Sequence, residues 1–207
     1  MALVIEHRGK SPRIDSSAYV APNAVVSGDV TIGAHSRVLF GAVITAEGGR
    51  VIIGENCIIM ETAVLRGTSR HNLQLGDHVL VGPRAYLTGC TVERSVFLAT
   101  GATIFNGAHI EQRSEVRVNG VVHVMTRLPP GSLVPIGWIA VGNPAIVRAP
   151  QDHDEIWTVQ QTLSFPKVVW GLERAPEGET IMPEITTRYA KALARHLEDR
   201  ILTGKPE

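Results

Sequence analysis

The sequence predicts an all-β solenoid, a parallel β-helix of six-residue units followed by a helical tail. Aliphatic side chains recur at almost every sixth position between residues 20 and 128. An α-helix would require a period of 3.6 residues and an isolated strand a period of 2, so neither explains this spacing. The ladder consists of Val20, Val26, Ile32, Val38, Ile44, Ile53, Ile59, Leu65, Leu75, Val81, Leu87, Val92, Leu98, Ile104, Ile110, Val116, Val122 and Leu128.

Six residues make one short strand and a turn, and three such units close a triangular coil of roughly 18 residues. Each aliphatic side chain then points inward and stacks on its equivalent in the next coil, because no unit can bury its apolar face alone. The regular ladder resembles that of known hexapeptide-repeat proteins, whose β-helix is left-handed, an exception to the usual right-handed crossover. We expect a lead-in over 1–17, the β-helix over 18–149 and a C-terminal extension over 150–207.

The ladder is interrupted at two insertions. Three residues are added around Glu47, Gly48 and Gly49, and four around Thr68–His71. Insertions in a repeat array are displaced outward as loops, and function tends to collect there. These two loops are therefore the first place to look for a site.

The extension differs in character from the repeats. Asp152–Gln161 is predicted to be a short helix, and 164–184 irregular chain rich in Pro, Gly and acids. Apolar residues then recur every four positions from Ile185 to Ile201, which predicts an amphipathic helix over about 185–202. We expect it to pack on the solenoid, with partner binding as the alternative; the pattern leaves open whether it covers a site.

Composition excludes several classes of protein. Twenty basic residues balance 20 acidic ones, so no nucleic-acid surface is expected. No long apolar run predicts a membrane span, and Met1–Lys10 does not resemble a signal peptide. Cys57 and Cys90 are assigned to different faces of the coil, and no disulfide is expected. We therefore predict a cytoplasmic protein.

Two motifs carry a family resemblance. The stretch Val81–Val92, reading VGPRAYLTGCTV, and the segments Leu128–Gly131 and Ala140–Ala145 resemble the gamma-class carbonic anhydrases and their hexapeptide-repeat transferase relatives. The likeness extends over Gly41–Ala145, about half the chain. It implies a homotrimer in which three His at subunit interfaces hold Zn²⁺, lower the pKa of a bound water and hydrate CO₂.

The residues at the three ligand positions depart from that pattern. They are Arg66, Pro83 and Thr88, and none of them can replace a neutral imidazole. The family's Arg-Gly-Asp is Thr45-Ala46-Glu47 here, and its Gln-Asp pair is Met60-Glu61. The resemblance therefore supports the fold and the trimer, but predicts that the His₃ zinc site and the hydratase reaction are lost.

Residues that directly follow the inward aliphatic position stack in a column, three units apart. The column holds Thr45, Arg66, Thr88, Phe105 and His123. We expect it to bind a small anionic or carbonyl-bearing molecule through Arg66, with Thr88 as a hydrogen-bond partner. The alternative is an ion pair between Arg66 and either Glu47 or Glu61 that merely replaces the metal.

Two histidines are candidate general bases. Hexapeptide acyltransferases use a His to activate an acceptor, and His71, in the second insertion, and His123, in the column, are the candidates here. The histidines show no metal-ligand spacing, so no metal ligand is assigned. Three functions stay open: a metal-free relative that binds a small molecule or serves as an assembly subunit, an acyl-CoA-dependent acyltransferase, and a carbonic anhydrase with altered metal ligands. No cofactor is expected, with acyl-CoA as the alternative.

Overall fold

The computed structural model describes residues 2–202 as a left-handed parallel β-helix with a short helical C-terminal part, which confirms the predicted fold class. Its 24 strands are β1 Leu3–Glu6, β2 Arg13–Ile14, β3 Tyr19–Val20, β4 Val25–Ser27, β5 Val30–Ile32, β6 Arg37–Val38, β7 Val43–Glu47, β8 Val51–Ile53, β9 Ile58–Ile59, β10 Val64–Thr68, β11 Leu73–Leu75, β12 Leu80–Val81, β13 Tyr86–Thr88, β14 Thr91–Val92, β15 Phe97–Leu98, β16 Thr103–Ile104, β17 His109–Ile110, β18 Glu115–Val116, β19 Val121–Val122, β20 Arg127–Leu128, β21 Leu133–Val134, β22 Ile139–Val141, β23 Ile146–Arg148 and β24 Arg200–Leu202. The helices are α1 His153–Leu163, α2 Phe165–Trp170 and α3 Met182–Leu193, followed by a 3₁₀ turn at Ala194–Glu198.

The strands form three sheets, the faces of the triangular coil. The first sheet has ten strands in the order β23-β22-β19-β16-β13-β10-β7-β4-β1-β24, and the second and third have seven each. Consecutive coils pair in parallel, so Val26 lies beside Ile44 and Ile44 beside Leu65. The antiparallel pairs β1–β24 and β22–β23 close the ends of the first sheet.

The aliphatic ladder is the core. From Val26 to Leu128 every ladder side chain is at most 1% exposed, and Ala24, Ala42, Ala63, Ala85 and Ala102 fill the spaces between the rungs. Full burial of a Val, Leu or Ile side chain stabilises the fold by about 1.5–3 kcal/mol. The stacked rungs are therefore the main source of stability, as the repeat pattern predicts.

Three expectations about boundaries need correction. The predicted lead-in 1–17 contains β1 and β2, which pair with β4 and β5 as part of the solenoid. Within 164–184, the short helix α2 replaces part of the expected irregular chain. The predicted helix over about 185–202 is α3, which ends at Leu193. Ile201, the last residue of its four-residue pattern, lies in β24 and pairs with Ile5.

The two cysteines are free and buried; Cys57 directly precedes β9, and Cys90 lies between β13 and β14. Burial raises the pKa of the Cys90 thiol to about 12, so it is an inert core residue. None of the helices in the described chain is long and apolar enough to cross a membrane.

Candidate functional site

The two insertions lie at the same corner of neighbouring coils. There β7 and β10 lengthen to five residues each and pair over their full length, from Val43 beside Val64 to Glu47 beside Thr68. A Cβ at Gly49 would overlap the carbonyl oxygen of Thr68, and a Cβ at Gly67 would overlap that of Gly49. Glycine is therefore required at both positions, because the backbones of the two insertions touch.

The predicted column is present on the outer face of the first sheet. Arg66 pairs in register with Thr45 on one side and Thr88 on the other. Phe105 and His123 follow on the next two coils, each directly after a core residue of β16 and β19. The six-residue period thus gave the correct placement of all five residues.

The C-terminal extension covers this column. The ring of Phe165, at the start of α2, packs edge-on against Phe105 at 5.7 Å between centroids and lies 6.0 Å from His123. Trp170, at the end of the same helix, packs against Phe165 at 5.5 Å. His123 is left only 9% exposed. The sequence leaves open whether the extension covers a site. In the structure, the extension lies over the column.

Between the extension and the insertions lies a cavity of about 520 Å³, within the usual range for small-molecule sites. Glu47, Arg66 and Arg70 contribute from the coils, and Trp170, Leu172 and α3 close the other side. Six basic side chains line it: Arg8, Arg66, Arg70, Arg188, Lys191 and Arg195. Among the described residues that line the cavity, Glu47 alone is acidic. The cavity therefore carries a large surplus of positive charge.

Few of these charges are neutralised. Arg188 pairs with Glu184, one turn earlier on α3. Arg66 Nη2 lies 3.9 Å from Glu47 Oε2, longer than a hydrogen bond, and Arg66 Nε is buried without a partner. In the part of the chain that the structure describes, Arg8, Arg70, Lys191 and Arg195 form no ion pair. A buried donor without a partner costs about 1–3 kcal/mol, and more when the group is charged.

One edge of the cavity is formed by a network that the sequence analysis missed. His7 Nδ1 donates to Asp199 Oδ1 at 2.6 Å, and His196 Nδ1 donates to Asp199 Oδ2 at 2.8 Å. The two imidazole rings stack at 4.4 Å, and His196 Nε2 lies 3.1 Å from Glu47 Oε2. His7 and Asp199 are 192 positions apart. No sequence spacing could therefore reveal the cluster.

The hydrogen bonds of this network shift the pKa values of His196 and Asp199. The hydrogen bond to Asp199 raises the pKa of His196 against the opposing effect of burial, and Glu47 adds to the rise. Burial acts to raise the pKa of Asp199, but the hydrogen bonds from His196 and His7 outweigh it, and the pKa is lowered. The extension is therefore tied to the solenoid by charge-assisted hydrogen bonds.

The structure gathers only some of the predicted site residues. Arg66 and Glu47 line the cavity, whereas Thr45, Thr88 and Phe105 belong to the column without lining the cavity. Glu61 lies in the turn after β9 and forms no ion pair with Arg66 in the described chain. Of the two predicted ion pairs, only the Arg66–Glu47 contact is formed, and it is long.

The two candidate bases are separate from the cavity. His71 ends the tight turn with Thr68 and lies against the turn at Gly89. Burial, and then Arg70, lower the pKa of His71, and burial lowers that of His123. Both Nδ1 atoms are buried without a partner. Neither ring lines the cavity, so the structure does not join these two residues into one catalytic site.

The residues that the family resemblance assigns to the zinc positions do not have the chemistry to hold a zinc ion. Arg66 offers only donors and a fixed positive charge, and Pro83 has no side-chain ligand atom. Pro83 also lies outside the first sheet, in the turn between β12 and β13. Thr88, the third position, is 95% buried, and its hydroxyl is not among the usual zinc ligands. No zinc chemistry can be assigned to this set.

Comparison with known proteins gives a consistent group of relatives. No protein-family model matches the chain. It is 33% identical over 194 residues to gamma carbonic anhydrase 1, mitochondrial, of Arabidopsis thaliana, an alignment that covers 90% of this chain and 66% of that protein. It is 32% identical over 161 residues to a probable carbonic anhydrase of Methanocaldococcus jannaschii, covering 77% of this chain and 98% of the relative.

Among solved structures, the chain resembles a putative acetyltransferase of Bacillus cereus. The two are 25% identical with a TM-score of 0.54, over 78% of this chain and 92% of the other. The β-helix is thus shared with proteins named for two different reactions. The choice between those reactions depends on the residues of the site.

Proposed function

This chain belongs to the gamma carbonic anhydrase family, and we propose that it is a member without the His₃ zinc site that binds a small anion in the basic cavity. The anion would be a carboxylate or phosphate compound small enough for about 520 Å³. The observation that carries the proposal is a cavity lined by six basic side chains and one acidic one, in which the partly exposed Arg66 guanidinium makes only a long contact to Glu47. A bound oxyanion would accept hydrogen bonds from that guanidinium and balance the charge.

Calorimetric titration with inorganic phosphate, succinate and citrate tests this proposal. We expect saturable binding of at least one of these probes, which weakens at high salt because charge attraction drives it. Arg66→Gln should lower the affinity at least tenfold, because it removes the guanidinium and its buried donor. Arg113→Gln is the matched control, since Arg113 is an exposed residue of a regular coil.

Two results would contradict the proposal. One is that none of the three anions binds to correctly folded wild-type protein. The other is equal binding by wild-type protein and Arg66→Gln, which would place the anion elsewhere on the surface.

Acyl transfer is the second candidate, and His71 is the observation that favours it. Its pKa is lowered and its Nδ1 lacks a partner, so the ring is neutral near pH 7, as a general base must be. Titration with acetyl-CoA separates the two functions. Binding of acetyl-CoA that His71→Gln leaves intact, together with loss of acetyl transfer in that variant, would favour the enzyme.

We also propose that the chain assembles as a homotrimer, as the family resemblance implies. The outward face of the third sheet carries Ile58, Leu80 and Phe97 in register on three successive coils. Ile58 and Phe97 are more than a third exposed, an apolar row that a second copy would bury. Sedimentation equilibrium should give three chains for the wild type and smaller species for Phe97→Glu; a monomeric wild type would contradict this.

A cytoplasmic location remains our proposal for the compartment. Two buried, free cysteines support it, since they need no oxidising environment. Fractionation of the native host with an antibody to this chain would test it, and recovery in an organelle or an extracellular fraction would contradict it.

A further inference from the structure

The network at the edge of the cavity contains the donor atoms of a metal site. One ligand atom from each of His7, Glu47 and His196 can be chosen so that all three lie within 4.8 Å of one another. His7 is buried and the other two are half-buried. Two imidazoles and one Glu carboxylate form an established ligand set for zinc.

We infer that His7, Glu47 and His196 bind one divalent transition-metal ion of the zinc class, with Asp199 as a positioning residue. None of these residues occupies the family's zinc positions, where Arg66, Pro83 and Thr88 stand. The site lies instead where three distant parts of the chain meet. His7 directly follows β1, Glu47 ends β7, and His196 belongs to the 3₁₀ turn after α3.

Asp199 provides the strongest argument. Its two carboxylate oxygens each accept a hydrogen bond from the Nδ1 of a different imidazole, at 2.6 and 2.8 Å. A carboxylate that holds Nδ1–H fixes the tautomer, the usual arrangement behind a metal-binding His, and a metal would take the place of the proton that His196 Nε2 shares with Glu47. The rings stack at 4.4 Å and share Asp199, so the two imidazoles are held side by side next to Glu47.

The distances require only a small adjustment. Donor atoms around one tetrahedral zinc ion lie about 3.3 Å apart for bonds of about 2.0 Å. Glu47 Oε2 and His196 Nε2 are already 3.1 Å apart. His7 Nε2 has no hydrogen-bond partner within residues 2–202, so it can turn toward the ion about the Nδ1 hydrogen bond to Asp199. Arg66 competes only weakly for Glu47, at 3.9 Å.

A metal at this position would have two consequences. It would join the extension, through His196, to the first and third coils, through His7 and Glu47, and so hold the cavity closed. With Asp199 included, two neutral imidazoles, two carboxylates and a divalent cation carry no net charge, so the ion would offset the two carboxylates beside the basic cavity. The metal site does not depend on the anion proposal, because its donors exclude Arg66.

Metal binding to the full chain, prepared without an affinity tag and treated with chelator, tests the inference. Titration with ZnCl₂ should show one ion per chain, and bound Co²⁺ should give the visible absorption of a four- or five-coordinate site. Zinc should raise the melting temperature, since it binds only the folded state. Glu47→Gln and His196→Gln should each weaken zinc binding at least a hundredfold, and Asp199→Asn by about 10–100-fold.

His153→Gln is the matched control, because His153 is an exposed histidine on α1. It should bind zinc as the wild type does. Equal zinc affinity in wild type, Glu47→Gln and His196→Gln would overturn the inference, as would wild-type protein that binds no stoichiometric zinc. If His196→Gln fails to fold without metal, Asp199→Asn decides instead, and zinc affinity within twofold of wild type in that variant would overturn the positioning role.

The Arg66→Gln variant separates this inference from the proposed function. Arg66→Gln should keep the zinc affinity of the wild type while it loses phosphate binding. Failure of the anion proposal would therefore leave the metal result intact, and the reverse also holds.

Discussion

The regular coils and the interrupted coils of this β-helix are built from the same repeat, yet their polar groups differ. From β14 to β21 every strand has two residues, and outward charges form partly exposed pairs such as Glu93 with His109 and Glu111 with Arg127. At the insertions β7 and β10 have five residues, and the buried Nε of Arg66 has no partner. The C-terminal extension packs over these coils, where basic side chains have few acidic partners.

The difference shows how stability and function are divided in a solenoid. A regular coil satisfies its backbone groups with its neighbours, and its outward side chains can reach water. An insertion interrupts the regular outer face of the coils and leaves room for a cavity. Polar groups there can remain without a partner, unlike those of the regular coils. The ladder therefore predicts where the chain is stable, and its interruptions predict where the cavity lies.

The largest expected effect is a loss of unfolding free energy when a residue of the aliphatic ladder is truncated. Leu65 is completely buried directly beneath the Arg66 site. Leu65→Ala should lower the free energy of unfolding by about 2–5 kcal/mol, because it removes buried surface and leaves a cavity. Urea denaturation measures this. Leu133→Ala, at a position 51% exposed, is the control and should change it by less than about 0.5 kcal/mol. Equal losses of unfolding free energy in Leu65→Ala and Leu133→Ala would contradict the assignment of the ladder as the core.

A smaller effect is expected from loosening the extension. Phe165→Ala removes the edge-on contact to Phe105 and the contacts to His123 and Trp170. Aromatic pairs contribute about 0.5–1.5 kcal/mol each beyond their buried area, so a loss of about 1–3 kcal/mol is expected. Hydrogen exchange should speed up in α2 but not in the ladder. Phe40→Ala, at an exposed turn of a coil, is the control; faster exchange throughout the coils would show that the extension is part of the core.

The smallest effect concerns pH. Burial lowers the folded-state pKa of His123 below its ordinary value of about 6.5, so the unfolded state binds more protons as the pH falls. The stability contributed by the neutral ring is present above about pH 6.5 and is lost as the pH falls below it. His123→Gln should therefore reduce the loss of stability between pH 7 and 5, as measured by thermal unfolding. His153→Gln should leave it unchanged; an unaltered slope in His123→Gln would show that this ring does not drive the loss.

The sequence predicts what depends on local period and fails where distant segments meet. The ladder, both insertions and the column with Arg66 follow from spacing alone. The cavity does not, because it requires α2 and α3 to fold back over β7 and β10. The Pro and Gly content of 164–184 suggested irregular chain, although Pro166 lies in the first turn of α2 and Gly171 caps its C-terminus.

The end of the chain shows the same limit. Ile201 continues the four-residue pattern of α3, but pairing with Ile5 places it in a strand. Tertiary pairing outweighs the local period there. The cluster of His7, Glu47, His196 and Asp199 depends on this pairing, since β24 brings the end of the extension beside β1.

Locating a bound anion by diffraction tests the central claim most directly. Crystals of the wild type with tungstate, a heavy oxyanion, would reveal its position by anomalous scattering. We expect tungstate in the cavity, within hydrogen-bond distance of the Arg66 guanidinium, and none there in Arg66→Gln. A cavity without tungstate in wild-type crystals that bind it elsewhere would contradict the account.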